Sequence, residues 1–193
     1  EDKFNKIEEL LTKRKVAGKN TLFYCGDGSV ELNDEELSRD VVRLAEILEE
    51  KGWKTSRFTA EETHATRIGI LNNLKTNIID AIVAIRVLDE GFDVPQCEEA
   101  FLIASSRNSR QFIQRRGRVL RTSPDTGKTK AEIQDFIVLP GKNSKKTSIE
   151  LVKKELARVY EFSRVALNKR DLKDEMNSIA NDYKFDINAI IKE

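Results

Sequence analysis

Residues 107–121 read R-N-S-R-Q-F-I-Q-R-R-G-R-V-L-R, six arginines without an acidic residue, in a chain whose formal net charge is only +1. A guanidinium keeps its proton, and its planar fork of donors matches the oxygens of a phosphate. Six fixed positive charges at this density repel one another, so a purely structural use of them needs anions in between. Arg115, Arg118 and Arg121 recur at a spacing of three, which puts them on one face of a helix. The chemistry such a face can do is to hold phosphate and to stabilise charge that develops on it. The competing reading is a solvated basic helix face, the ordinary meaning of a charge run.

Upstream, residues 84–95 read A-I-R-V-L-D-E-G-F-D-V-P, an apolar run followed by a glycine and a carboxylate before a proline. Residues 114–121, Q-R-R-G-R-V-L-R, are similar to motif VI of superfamily 2 helicases, Q-R-x-G-R-x-x-R, with every defining position present. Residues 84–95 resemble motif V in the form that ends E-G-x-D-x-P. T-L-F-Y-C at 21–25 resembles the motif IV strand, and the helix around Arg67 resembles the segment between motifs IV and V. The likeness runs over residues 4–140. Its L-D-E-G-F-D-V-P form points to the DNA helicase and translocase subunits related to type I and type III restriction enzymes, rather than to DEAD-box RNA helicases.

The resemblance implies a C-terminal, RecA-like motor domain that shares an ATP site with an N-terminal RecA-like domain of the same protein. It implies that Asp93 accepts a hydrogen bond from the ATP ribose and that Gly91 lets the backbone approach. Arg118 and Arg121 become the arginine fingers, and Gln114 and Arg115 join the nucleotide site and couple it to nucleic acid. Gly117 leaves room for the opposing domain. Gly26, Asp27, Arg86 and Arg107 become candidate nucleic-acid contacts. One departure bears on that track. Where many members carry a threonine at the end of the motif V strand, this chain has Ile85 followed by Arg86. Ile85 cannot touch a phosphate through a hydroxyl, whereas Arg86 can grip one by charge. Each candidate has a plainer reading: Asp93 as a turn carboxylate, Arg86 as an ion pair with Asp89 or Glu90, and Gly26-Asp27 as a simple turn. The polar stretch around Arg107 can be a helix cap.

Two elements of an ATPase are missing from the sequence. No G-x-x-x-x-G-K-[ST] loop is present, because Gly18-Lys19 is followed by Asn20 and lacks the upstream glycine. No acidic pair ends a strand to hold Mg²⁺. The chain is therefore expected to be the second of two motor domains, cut from a longer protein, with Mg²⁺ held by the missing domain and the isolated chain inactive. DNA is the expected track and RNA the alternative. A nuclease or restriction-modification subunit is a candidate partner. A non-catalytic nucleic-acid-binding module of helicase-like fold is the rival from another class.

The elements that must position these residues follow from periodicity. Apolar runs at 21–25, 54–58, 81–85, 100–104 and 132–139 read as strands. Amphipathic patterns at 4–14, 34–51 and 61–74 read as helices. Apolar strands alternating with helices mean a parallel sheet covered on both faces, a three-layer α/β fold. Residues 109–116 read as a further helix. After Pro140-Gly141 the pattern becomes helical, with a long helix at 147–169 and shorter ones at 172–183 and 187–192. The expected division is thus 1–141 and 142–193. The stripe Ile149, Val152, Leu156, Val159 and Phe162 is expected to pack on the α/β layer. Cys25 and Cys97 read as reduced core thiols and Trp53 as a packing residue. His64 reads as exposed. Arg67 stands where the resembled family often carries an arginine, and one partner of a surface ion pair is an equally good reading of it. The chain carries one histidine, and no apolar run is long enough to cross a bilayer. A cytoplasmic protein without a membrane segment is expected.

Overall fold

A computed structural model describes residues 3–14, 16–26, 34–59, 61–85, 97–103, 117, 121–124, 127–137, 139–141 and 146–191. The chain divides into two compact units, Glu1–Phe136 and Ile137–Glu193.

The first unit contains α1 (Lys3–Thr12), β1 (Thr21–Gly26), α2 (Asp34–Glu50), β2 (Thr55–Phe58), α3 (His64–Lys75), β3 (Ala81–Ile85), β4 (Glu99–Leu102) and β5 (Glu132–Asp135). The strands form one sheet in the order β2-β3-β1-β4-β5, and every neighbouring pair is parallel. All five residues of β3 are buried, as a strand covered on both faces requires. The chain steps one way across the sheet from β1 to β2 and back from β2 to β3. Right-handed crossovers therefore place α2 and α3 on opposite faces. On one face, Phe4, Ile7 and Leu11 of α1 and Val41, Leu44 and Leu48 of α2 close over Phe23, Val83 and Phe101. On the other side of the strands, Leu22, Ile82, Ala84 and Leu102 are equally buried, as are Ile70 and Leu74 of α3. Each such aliphatic or aromatic side chain contributes about 1.5–3 kcal/mol by leaving water. This is the RecA-like layering that the alternating pattern predicts.

Local chemistry sets the boundaries. Gly52, at φ +82°, ends α2 in the left-handed conformation, and the Trp53 N–H reaches back to the Leu48 carbonyl at 2.9 Å. Thr63 caps α3 by accepting from the Thr66 N–H. Gly18 is required by proximity. A Cβ there would stand 2.8 Å from Thr21 Oγ1 and 2.8 Å from Trp53 Cη2. Trp53 is itself held edge-on to Phe23 at 5.6 Å between centroids. Gly69 is the opposite case, an exposed mid-helix glycine where an added methyl would meet no described neighbour within 4 Å. We therefore expect opposite signs from one substitution type. Gly18→Ala should destabilise by about 1–3 kcal/mol through overpacking, and Gly69→Ala should stabilise by about 0.5–1 kcal/mol. Urea unfolding of the two variants checks this; a stabilised Gly18→Ala would contradict the close packing at Trp53.

The structure departs from the sequence-based expectations in several places. The strand expected over 132–139 stops at Asp135. The helix expected over 147–169 stops earlier, as α4 (Lys146–Ser163); the two expected after it are α5 (Lys169–Asp182) and α6 (Asn188–Ile191). No glycine or proline marks the end of α4. Instead the helix tightens, with Val165 N–H bonding to Phe162 and Ala166 N–H to Ser163. The stripe on α4 is covered inside its own unit, where Val152 and Leu156 pack with Met176, Ala180 and Ile190, and with the partly buried Val159. The Tyr183 hydroxyl donates to the Pro140 carbonyl and ties the start of this unit to the end of α5. Arg67 is buried rather than a surface residue. Cys25 and Cys97 are buried free thiols and Trp53 is core, whereas His64 is exposed. Among the described residues no helix is long and apolar enough to cross a membrane.

Candidate functional site

Because the sheet is parallel, the carboxyl ends of β1, β2, β3 and β4 share one edge, the usual ligand edge of such sheets. β1 lies between β3 and β4, so three chain exits stand side by side there: Gly26, Ile85 and Ile103. A bulge brings two of them opposite each other. Tyr24 pairs with Ala84, Cys25 is the extra residue, and Gly26 pairs with Ile85. Such bulges re-aim a strand end. Here it means that the candidate residues after Gly26 and after Ile85 depart from neighbouring points.

Two exits are pinned by described side chains. At β4, the Ile103 N–H donates to the Tyr24 carbonyl at 3.0 Å, and its own carbonyl accepts from Lys3 Nζ at 2.7 Å. At β2, Thr59 is bracketed. Its N–H and Oγ1 donate to Glu62 Oε2 at 2.5 and 2.9 Å, while its carbonyl accepts from Arg67 Nη2 at 2.7 Å. The Arg67 guanidinium also lies 5.7 Å from the Phe58 ring centroid. A buried guanidinium on a carbonyl and an aromatic face is an anchor, not the surface ion pair that was one of its two readings from sequence. Lys3 gave no signal in the sequence, since its partner lies 100 residues away.

The amino ends of the strands form the opposite edge. Arg14 makes a two-pronged ion pair with Glu99, through Nη1 to Oε2 at 2.8 Å and through Nη2 to Oε1. Cys97 donates its thiol proton to the Glu99 carbonyl at 3.0 Å, and burial pushes its pKa up to about 12. Burial also raises the Cys25 thiol far above its ordinary range, so neither is a thiolate nucleophile near neutral pH. Ser123 and Lys128, both buried, exchange N–H···O bonds of 3.2 Å each. Burial lowers the Lys128 pKa, and the neighbouring Glu98 acts against that.

The ten candidate residues fare unequally. Gly26 is the last residue of β1. Arg121 is exposed and outside helical structure. It stands two residues before Ser123, which bridges to Lys128. Gly117 is helical and exposed. Asp27, Arg86, Gly91, Asp93, Arg107, Gln114, Arg115 and Arg118 lie outside the described residues. The two segments carrying most of them have described ends, however. Residues 86–96 start at the carboxyl edge after Ile85 and re-enter at Cys97, beside the amino edge. Residues 104–120 start at the carboxyl edge after Ile103 and re-enter at Arg121.

Known proteins bear on this arrangement. The chain is similar to the DNA 3'-5' translocase XPB2 of Sulfurisphaera tokodaii, 30% identical over 140 residues that make up 62% of this chain and 31% of that protein. It is similar to UvrABC system protein B of Dehalococcoides mccartyi, 33% identical over 84 residues, 41% of this chain and 13% of that protein. The chain thus spans a third or less of the length of either relative. In structure it is similar to the C-terminal domain of the DEAD-box protein Dbp5, with a TM-score of 0.57 and 15% identity over 86% of this chain and 81% of that one. At that identity the likeness speaks to the fold alone. Residues 2–123 match the family described as helicase conserved C-terminal domain. That match covers most of the chain and takes in the whole sheet except β5, so this chain belongs to the helicase conserved C-terminal domain family of superfamily 2.

Proposed function

We propose that this chain is the second motor domain of an ATP-dependent DNA translocase or helicase and works against an N-terminal RecA-like domain of the same protein. The observation that carries the reading is the match of residues 2–123 to the helicase conserved C-terminal domain, over a parallel sheet whose exits at Gly26, Ile85 and Ile103 stand side by side at one edge.

In this reading Gly26, Asp27, Arg86 and Arg107, which follow or close the three adjacent exits, grip the nucleic-acid backbone. Arg86 does by charge what a threonine hydroxyl does elsewhere in the family. Gly91, Asp93, Gln114, Arg115, Arg118 and Arg121 face the nucleotide. Their donor set fits that ligand: a carboxylate for ribose hydroxyls, a glycine for close approach, and guanidinium forks for phosphate oxygens. Bound ATP supplies a phosphoryl group whose transfer to water drives movement. Arg118 and Arg121 lay positive charge on its oxygens as that charge develops. The Mg²⁺ ligands and the phosphate-cradling loop belong to the partner motor domain. DNA is favoured by the relative described as a DNA translocase and by the E-G-F-D-V-P form of residues 90–95. The same form supports a place among subunits that work with a nuclease, as in restriction enzymes. Two buried cysteines agree with a reducing, cytoplasmic setting.

Two measurements test the reading. The isolated chain, given Mg²⁺-ATP and DNA, should release phosphate at background rate; a robust rate lost on changing Arg118 would overturn the half-site assignment. The complete protein should translocate on or unwind DNA in preference to RNA. Equal or greater activity on RNA would replace the substrate while keeping the motor. Binding without any nucleotide hydrolysis would leave a non-catalytic module.

A further inference from the structure

We propose that the turn between α4 and α5 is a DNA-contacting surface, on which Lys169, Arg170 and Lys173 meet phosphates while Val165 and Leu167 meet sugars and bases. The inference rests on the reading that the complete protein works on DNA. It goes beyond that reading by adding a contact in the second unit, which lies outside the family match.

The turn is ordered, yet it presents an apolar tip. α4 ends at Ser163, whose hydroxyl donates to the Tyr160 carbonyl at 2.7 Å. The Val165 and Ala166 N–H groups bond back to Phe162 and Ser163, and the Leu172 N–H bonds to Asn168 as α5 begins. Leu156 of α4 and Met176 of α5 fix the two helices in the core of this unit. Val165 is nevertheless 68% exposed and Leu167 90%, on either side of the half-buried Ala166. Two aliphatic side chains left in water here forgo the burial that holds the rest of the unit together.

The charge beside the tip is segregated. At about 3.6 residues per turn, Lys169, Lys173 and Arg170 fall within about 100° of arc on one flank of α5. Asp171, Asp174 and Glu175 fall on the other flank. The three cations are exposed, and none of them forms an ion pair or hydrogen bond among the described residues. Arg164, before the tip, does pair, with Glu161 at 3.4 Å. Near the start of a helix the backbone dipole also opposes a cation, so the fold gains nothing from placing three of them there. A partner that fits is anionic and offers apolar surface in the same place. DNA does both, since phosphates flank sugars and bases that admit aliphatic wedges. A lipid surface fits less well. Interfacial helices need a continuous apolar face, and here two residues of a turn lead into a helix with an acidic flank.

The test uses the complete motor protein and a short DNA duplex with a single-stranded tail, read by fluorescence anisotropy over a range of salt. Lys169→Gln/Arg170→Gln/Lys173→Gln should weaken binding at least about tenfold at low salt. It should also lower the slope of log affinity against log salt by about 2–3, as expected for three lost phosphate contacts. Val165→Ser/Leu167→Ser should weaken binding about three- to tenfold and leave the slope unchanged, because apolar contacts release no counterions. All five side chains are exposed, so thermal melts of both variants should match the parent. Should the triple variant melt early, Arg170→Gln alone decides, with a fall in slope of about 0.7–0.9 expected. Lys169→Arg/Lys173→Arg keeps the charge and should match the parent in affinity and slope. An unchanged slope in the Gln variant would overturn the proposal, and so would a Ser variant that binds like the parent. If the Gln variant instead loses binding to phosphatidylserine vesicles while DNA binding holds, the partner is a lipid surface and the proposal is wrong. Those failures leave the motor reading intact, whereas a parent protein that binds no DNA overturns both.

Discussion

In the complete motor protein, Arg118→Ala and Arg121→Ala should each lower the rate of ATP hydrolysis by about 10³-fold or more, the range of an arginine that stabilises a phosphoryl-transfer transition state. ATP affinity should change far less, because the guanidinium meets most of its charge only as the transition state forms. Lysine at either position should rescue poorly, since it offers a point charge without the planar fork. A fluorescent ATP analogue reports binding, and single-turnover phosphate release reports chemistry. A thermal melt of each variant beside the parent separates a loss of turnover from a loss of fold. Near-normal turnover in both alanine variants would leave a solvated basic surface as the better account of residues 107–121.

Arg14→Ala should be the most destabilising single substitution in the first unit for which the structure gives a specific reason. Glu99 opens β4 and is only 8% exposed, and Arg14 engages both of its carboxylate oxygens while lying 5.3 Å from the Phe101 ring centroid. Truncating one partner leaves a carboxylate in the sheet without its counter-charge. Breaking a buried pair in this way costs about 3–5 kcal/mol, whereas an exposed pair is worth about 0–1. Arg14 retains 30% side-chain exposure, so the lower end applies. About 3 kcal/mol corresponds to a fall in Tm of about 6–12 °C for a chain of this size. Replacing both partners by apolar residues, Arg14→Met with Glu99→Leu, should recover much of the loss, because no stranded charge remains. Thermal and urea melts of the single and double variants decide the matter. A single variant within about 0.5 kcal/mol of the parent would put Arg14–Glu99 among ordinary surface pairs. The contrast with Lys6, Lys13 and Glu9 is instructive. That exposed helical cluster holds the Glu9 carboxyl down to about 2, yet every member faces water.

The sequence by itself determined the α/β layering and the family. The apolar run at 81–85 can only be a strand with both faces covered, and it coincides with β3 residue for residue. The periodic face of residues 4–11 and the Gly52 stop of α2 were legible because they depend on neighbours within one or two helical turns. The motif resemblance was legible for a related reason: its residues are contiguous, and their chemistry resides in their type and spacing. Other features depended on contacts between distant residues, and only the tertiary structure decided them. Arg14 finds Glu99 across 85 residues, Lys3 finds Ile103 across 100, and Arg67 turns inward onto Thr59 and Phe58 when its sequence context looked like surface. The end of α4 at Ser163, six residues before the expected one, has no glycine or proline to announce it, and there the backbone tightens into the Val165–Phe162 and Ala166–Ser163 bonds. The isolated bridge between Ser123 and Lys128, just past the motif resemblance, had no signal in the sequence either. Helical periodicity is a local property, whereas which edge of a parallel sheet a returning chain reaches is fixed by where the next strand must begin.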